Sequence, residues 1–397
     1  MTYLLGVVAF VFALLASVML HEAGHFLTAK RFGMKATQFF VGFGPTLWSW
    51  RRGGTEYGIK AVLLGGYVRI VGYTPLEEID PADEPRAFYR QPALQRVIVI
   101  CGGVVMNFII AFVLLAALAL TIGERIPGTP TTTVAIVSPC IPATLQAKCK
   151  PGDPPSPAAQ AGLRPTDKVV SLAGVPVRGW AALRAAIKSQ RAGSTVPVVI
   201  ERGGRQETLR LRIASVDGAS FVGMTAQVQG GGYRRFGPAG AVGYAATTIG
   251  RTVAGIGKVL ADLPSAIPKL FSPERATTPG GQVGSVVGAT EVSGEIFAAD
   301  AGWKDKLDAY LQLVISVNIF LGALNVIPLL PLDGGHLAVI CYERIRVRIN
   351  RLRGRSDPGT VDMTKLMPVT YLVFLLLVGF GMLLILADVF NPMTLPR

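Results

Sequence analysis

The chain has 397 residues, of which 50% are hydrophobic and only 16% charged, against roughly a quarter charged in soluble domains. That balance excludes an ordinary soluble enzyme and points to a membrane protein with room for several domains. The net charge of +14 does not signify nucleic acid, because the densest arginine run lacks interleaved aromatics and abuts an apolar segment, which suits anionic lipid headgroups instead.

In chain order, Leu4–Leu20 is the first of four charge-free stretches; Val97–Gly123, Ala309–Leu332 and Leu366–Ala387 follow. Each is read as a helix spanning the roughly 30 Å hydrocarbon core. The first is expected to remain as a span, since MTYLL has no positive n-region and no small-x-small cleavage site follows. Lys30, Arg31 and Lys35 come after the first stretch, and Arg344, Arg346, Arg348, Arg351, Arg353 and Arg355 precede the fourth. By the positive-inside rule the basic loops face the cytoplasm, and both termini and the long 124–308 loop lie outside a plasma or inner membrane. Phe236–Gly250, short and rich in Gly and Ala, is read as interfacial or soluble. Cys101 and Cys341 are expected to be inert; Cys140 and Cys149 fall in the outer loop, where an oxidising space would let them pair.

The first stretch runs without a loop into His21-Glu22-Ala23-Gly24-His25. On a helix His21 and His25 share a face, so both imidazoles can reach one metal, with Glu22 to the side as a candidate general base. The chain has only three histidines, and ionisable groups in a membrane helix cost roughly 2.5–3.5 kcal/mol each on insertion scales, which marks them as functional. From Tyr3 to His21 the helix rises about 27 Å, so the site is expected near the cytoplasmic end of the span. A catalytic zinc needs a third protein ligand. Thr28 and Arg31 stand where a metzincin has Gly and His, and Glu56 lies in a strand-like stretch. The better candidate is Asp333, the first charge after a long neutral run, where Pro328, Pro331, Gly334 and Gly335 must unwind the helix. Broken backbone at membrane depth has to line a polar pocket. Ligation by His336, or simple helix capping by Asp333 and His336, are the alternatives. Asn318 and Asn325 share a helical face in apolar surroundings, either as inter-helix glue or to orient a substrate backbone.

HEAGH at the end of the first span, N-x-x-P…L-D-G in a later one, VGFGP at 41–45 and LLGGYVRI at 63–70 together resemble the site-2 proteases, the zinc intramembrane metalloproteases. The likeness covers most of the chain and is strongest to the bacterial branch with a PDZ domain between the second and third spans, in particular its actinobacterial, mycobacterial-type members. The resemblance implies one Zn²⁺ held by His21, His25 and Asp333, Glu22 as the base, and Asn325 at the active site. Substrates would be single-span membrane proteins such as anti-sigma factors, trimmed on the outside and then cut within the membrane. Two departures are visible: Leu330 replaces the usual second proline, and Val104 replaces the proline of G-P-x-x-N while Gly103 and Asn107 remain.

Residues 35–72 alternate like strands around Gly53-Gly54, which suits a hairpin turn; the resemblance implies that this hairpin is membrane-associated, and a plain cytoplasmic hairpin is the alternative. In the family this sheet lies beside the active site and its edge pairs with substrate, so Gly65, Gly66 and Tyr67 are taken as substrate-binding with Asn318 and Asn325; an unwound substrate would find replacement hydrogen bonds there. Residues 132–215 read as a small α/β domain: a helix at SPAAQAG capped by Ser156, a strand at KVVSLAG, a helix at WAALRAAIKSQ, then strands TVPVVIE and ETLRLRI. It resembles a permuted PDZ domain with Thr166-Asp167 in place of the signature Gly-Asp; whether it binds peptide or gates by size is open.

The expected fold is therefore a polytopic α-helical membrane protein of four spans, with the membrane-associated β-hairpin and an inserted extracytoplasmic PDZ-like domain. Its parts are 1–123 with the HExxH helix and second span, 132–215 the PDZ-like domain, 216–308 linker and short interfacial pieces, and 309–397 with the third and fourth spans. An idle adaptor would not need Glu22. A metal transporter would need paired broken helices, and only one such segment is visible.

Overall fold

The computed structural model describes residues 1–73, 78–142, 149–216, 218–272, 275, 284–356, 359 and 361–391. Parts of the 216–308 stretch and of the connection between the third and fourth charge-free stretches lie outside the described residues. Two units emerge, Met1–Ile122 with Arg235–Pro396, and Gly123–Arg234.

The first unit begins with α1 (Thr2–Arg31), which carries the HExxH pattern on its last turns. Its buried residues Gly6, Phe10, Ser17, His21, Gly24 and His25 recur mostly at intervals of three, four or seven, so the imidazoles fall on the stripe that faces protein. Then β1 (Ala36–Arg52) and β2 (Thr55–Ile70) pair antiparallel through a turn at Gly53 and Gly54, both at positive φ. Both strands double back: Phe39 pairs with Val68 and with Tyr57, and Phe40 with Tyr67 and with Gly58. The segment 66–70 is thereby left at one edge. Gly42 sits at φ +85° in the bend of β1, where a Cβ would come within 2.6 Å of the Val62 carbonyl oxygen. Next comes α2 (Ala93–Thr121), packed so closely on α1 that a Cβ on Gly102 would meet the Gly24 carbonyl carbon at 2.8 Å.

The second unit holds β3 (Glu124–Ile126), β4 (Thr129–Val137), α3 (Pro157–Gln160), β5 (Lys168–Leu172), β6 (Val175–Pro176), α4 (Trp180–Lys188), β7 (Thr195–Arg202), β8 (Arg205–Arg212), β9 (Ala214–Val216), β10 (Ala219–Phe221), β11 (Met224–Gln229) and β12 (Gly232–Arg234). One sheet runs β11-β4-β5-β7-β8, with β6 on β5, around a core that includes Leu163, Leu172, Leu183, Ile200 and Leu211. Ser156 caps α3 through the Ala159 N–H at 3.1 Å, as its sequence position predicts. Cys140 and Cys149 are disulfide-bonded, Cα–Cα 5.8 Å.

Thr166 adopts φ +77°, a conformation that a β-branched residue rarely takes. Its neighbour Asp167 is buried and receives Arg202 Nε at 2.8 Å, Arg202 Nη2 at 2.7 Å and the Arg164 N–H at 2.7 Å. Burial opposes ionisation, but these donors outweigh it and hold the Asp167 carboxyl below the usual carboxylate range. Its folded pKa is depressed, so its contribution is complete above the ordinary value of about 3.9 and is lost as the pH falls through the folded one. Asp167→Asn is expected to speed limited proteolysis inside 123–234 of the full chain several-fold at neutral pH, with the gap to wild type closing as the pH drops below that range. Equal rates at neutral pH would mean that the pair does not stabilise this unit.

The chain returns to the first unit in α5 (Pro238–Ala266), α6 (Val286–Ala298), α7 (Trp303–Val326), α8 (Asp333–Leu352) and α9 (Met367–Phe390). Phe236–Gly250, read from the sequence as a short stretch that is interfacial or soluble, is part of a longer element. Most of it belongs to a 29-residue helix whose Tyr244, Ala245, Ile249 and Ile256 join the cluster of Ala111 and Leu115 from α2 with Ile315 and Ile319 from α7. Small residues let that helix lie closely on two apolar neighbours, a contact that residue spacing alone does not report. Buried Arg275 pairs with Asp388 at the end of α9 and donates to the Asn391 carbonyl at 2.7 Å. Among the described residues, four helices are long and apolar enough to cross a membrane: Thr2–Arg31, Ala93–Thr121, Trp303–Val326 and Thr364–Phe390. Each overlaps one of the four charge-free stretches; the third helix starts before its stretch and ends at Val326, six residues short of Leu332.

Candidate active site

Three elements converge at the end of α1. The helix presents His21 and His25, each under a tenth exposed. The chain leaves α7 at Val326, turns through 327–332 and opens α8 on Asp333. The two glycines that follow are required there. A Cβ on Gly334 would collide with the Val326 and Ile327 carbonyls, and one on Gly335 would lie 2.6 Å from the Leu329 carbonyl carbon. The fold-back this permits points Asp333 at the two histidines.

His21 Nε2 and His25 Nε2 lie 3.2 Å apart, and Asp333 Oδ2 lies 3.3 Å from each. That oxygen is buried and accepts no hydrogen bond. The triangle fits zinc: tetrahedral coordination at about 2.0–2.1 Å places ligand atoms about 3.3 Å apart. His25 Nδ1 donates to the Val99 carbonyl at 2.8 Å, which fixes the tautomer and leaves the Nε2 lone pair free. His21 Nδ1 lies 3.2 Å from the Asn107 amide, whose Oδ1 is buried without a partner. With that amide turned over, Oδ1 accepts from Nδ1–H, and both Nε2 lone pairs point at the same place. His336 is not among the converging groups; its ring packs on Tyr73, centroids 4.8 Å apart.

Glu22 projects toward β2, where its Oε2 accepts the Val68 N–H at 3.2 Å. Val68 sits on the edge segment of the sheet, and Gly66, two residues earlier, presents its backbone to the same edge. A Cβ on Gly66 would lie 2.8 Å from the Phe40 carbonyl oxygen; Gly65 is at φ +108°. The Tyr67 ring stacks on Phe40 and Phe43 and its hydroxyl donates to Gln38. Asn325, half-buried near the end of α7, makes no side-chain hydrogen bond among the described residues. Asn318 is fully buried, and its amide donates to Ser17 Oγ at 3.0 Å, joining α7 to α1 one turn before His21.

Sequence reading assigned no role to Gly103 and Asn107, although their four-residue spacing places them on one face of α2. A Cβ at Gly103 would lie 2.7 Å from His21 Nε2 and closer still to His25 Nε2. Gly103→Ala is therefore expected to displace the imidazoles and lower any activity that depends on them about 10²-fold, the cost of roughly 1 Å of misplacement. Metal content by mass spectrometry and turnover check this; wild-type values for both would show that α2 yields without moving the histidines.

The profile of Peptidase family M50 matches residues 9–358. The chain is 39% identical to "Zinc metalloprotease Rip1" of Mycobacterium tuberculosis over 414 aligned positions, covering 100% of both chains. It is 36% identical to the protein of that name in Mycolicibacterium smegmatis, again over 100% of both. Among solved structures, the PDZ domain of the SdrC-like protein from Listeria monocytogenes is similar over 26% of this chain and 93% of its own, at 19% identity and TM-score 0.18. The full-length identity and the family match agree with the motifs, and the chain belongs to peptidase family M50, the site-2 proteases, and is a metalloprotease.

Proposed function

We propose that the chain is a zinc-dependent intramembrane endopeptidase that cuts single-span membrane proteins, anti-sigma factors among them, after their outer domains have been removed. The observation that carries this reading is the triangle of His21 Nε2, His25 Nε2 and Asp333 Oδ2 at 3.2–3.3 Å, set at the end of a helix apolar enough to span a bilayer. These three side chains would hold one zinc ion. Bound there, zinc would polarise the scissile carbonyl and make water acidic enough to be activated near neutral pH.

Glu22 takes the proton of the attacking water and passes it to the leaving amine. Its hydrogen bond from the Val68 N–H keeps the carboxylate on the side where the sheet edge lies. The edge at Gly65, Gly66 and Tyr67 offers backbone hydrogen bonds to a substrate that has lost its helical ones, and the Asn325 amide supplies another donor. Asn318 steadies α7 on α1 through Ser17. The distribution of arginine and lysine supports a plasma-membrane topology with both termini outside and the site toward the cytoplasm. The inserted PDZ-like domain would then face outward, where substrates are first trimmed.

The test uses purified protein in liposomes with a tagged single-span substrate shortened on its outer face. Wild type should cut within the membrane segment and stop when zinc is chelated, and activity should return on adding zinc back. Cleavage that continues in chelator would refute a zinc enzyme.

A further inference from the structure

The helix that opens on Asp333 leaves one face of its second half exposed among the described residues. In α8 the side chains turned to the core are Ile340 and Glu343, and Glu343 is anchored by Arg96 of α2 at 2.8 Å. The opposite face carries Tyr342, Ile345, Ile349 and Leu352, exposed by 57, 58, 41 and 81%. Their spacing of three, four and three residues makes one continuous apolar stripe. Arg344, Arg348 and Arg351 flank it on one side and Arg353 on the other, all exposed. Glu343 is the only acidic residue between 334 and 356, and its pairing with Arg96 leaves the outer surface of the helix purely cationic. Unlike α1, α2, α7 and α9, α8 is not apolar enough to cross a membrane.

We propose that the outer face of α8 is a docking surface for anionic phospholipid, on which the helix lies in the plane of the bilayer. The apolar stripe sinks to the boundary between headgroups and acyl chains, and the arginines reach the phosphates from both flanks. An amphipathic helix with low net hydrophobicity and an arginine-rich polar face binds in this way, and the long arginine stems can lie along apolar surface while their guanidinium groups stay in the headgroup layer. Charge complementarity selects the occupant: each cation near an anionic surface favours binding, whereas a zwitterionic surface offers no such attraction. The inference uses the membrane reading of this chain but does not depend on catalysis.

The experiment places spin labels by cysteine substitution at Ile345, Ile349, Arg344 and Arg351 of the full chain carrying Cys101→Ser and Cys341→Ser. The chain is reconstituted in vesicles of phosphatidylcholine alone or mixed with phosphatidylglycerol. In mixed vesicles, labels at 345 and 349 should be relaxed more by oxygen than by an aqueous nickel chelate, and labels at 344 and 351 the reverse. Arg344→Gln, Arg348→Gln and Arg351→Gln combined should make the 345 and 349 labels shallower in mixed vesicles, while an unchanged unfolding midpoint in detergent shows that the fold is intact. Labels at 345 and 349 that stay open to the nickel chelate in both vesicles would overturn the proposal. Labels immobile and closed to both reagents would also overturn it, by assigning the face to a protein partner or a second copy. Equal depth in both vesicles, unmoved by the glutamines, would overturn the recognition of anionic headgroups.

Discussion

Glu22→Gln is expected to lower cleavage of a single-span substrate by about 10²–10⁴-fold, the usual contribution of a positioned general base, while zinc content stays at the wild-type level. Glutamine keeps the size of the side chain, and its amide oxygen can still accept the Val68 N–H that Glu22 Oε2 now accepts at 3.2 Å. What it loses is the ability to take a proton. The proposed ligand atoms belong to His21, His25 and Asp333 and are untouched by the change, so the variant separates the proton-transfer role from metal holding. Single-turnover cleavage in liposomes and metal analysis on the same preparation read both quantities. If the Glu22→Gln protein cuts as fast as wild type with zinc bound, the base is some other group. If zinc is lost as well, Glu22 helps to hold the metal and the proposed division of roles is wrong.

Asp333→Ala is expected to remove both zinc and cleavage. The carboxylate is the one anionic member of the triangle, and without it two neutral imidazoles 3.2 Å apart are left to bind a dication. The loss in zinc affinity should exceed the roughly 10–100-fold that removal of an outer-shell partner costs. The fold should survive: the turn before α8 is shaped by Gly334 and Gly335, and the middle of α8 is anchored by Glu343 on Arg96. An unfolding midpoint in detergent close to that of wild type stripped of zinc would confirm survival. Full zinc occupancy in Asp333→Ala would move the third ligand elsewhere, and His336, packed on Tyr73, would be the next to replace.

Much of this was legible in the sequence because the bilayer imposes strong rules. A helix in hydrocarbon must be long and uncharged, so four uninterrupted apolar runs announced four helices. The same rules made His21, Glu22, His25 and Asp333 conspicuous, since each interrupts or ends such a run. Short-range signals also held. Gly53-Gly54 turns the hairpin, and Ser156 caps its helix. The helix from Pro238 to Ala266 was missed because Arg251, Lys258 and Asp262 break its apolar character, and its stabilising contacts with α2 and α7 are distant in sequence.

The sequence by itself singled out which residues could bind a metal and set two of them at the end of a long apolar stretch, because charge and periodicity are local properties of the chain. Only the tertiary structure decided that atoms more than three hundred residues apart in sequence meet at 3.3 Å. It also decided that Val99 sets the tautomer of His25 and that Asn107 stands behind His21. It brought the edge of β2 to Glu22 through the Val68 N–H. These contacts depend on how closely backbones can approach, and glycines 24, 102, 103, 334 and 335 allow it by lacking a Cβ where neighbouring atoms leave no room for one. A glycine in a sequence announces freedom or close approach without saying which, and the answer lies in the partner across the contact.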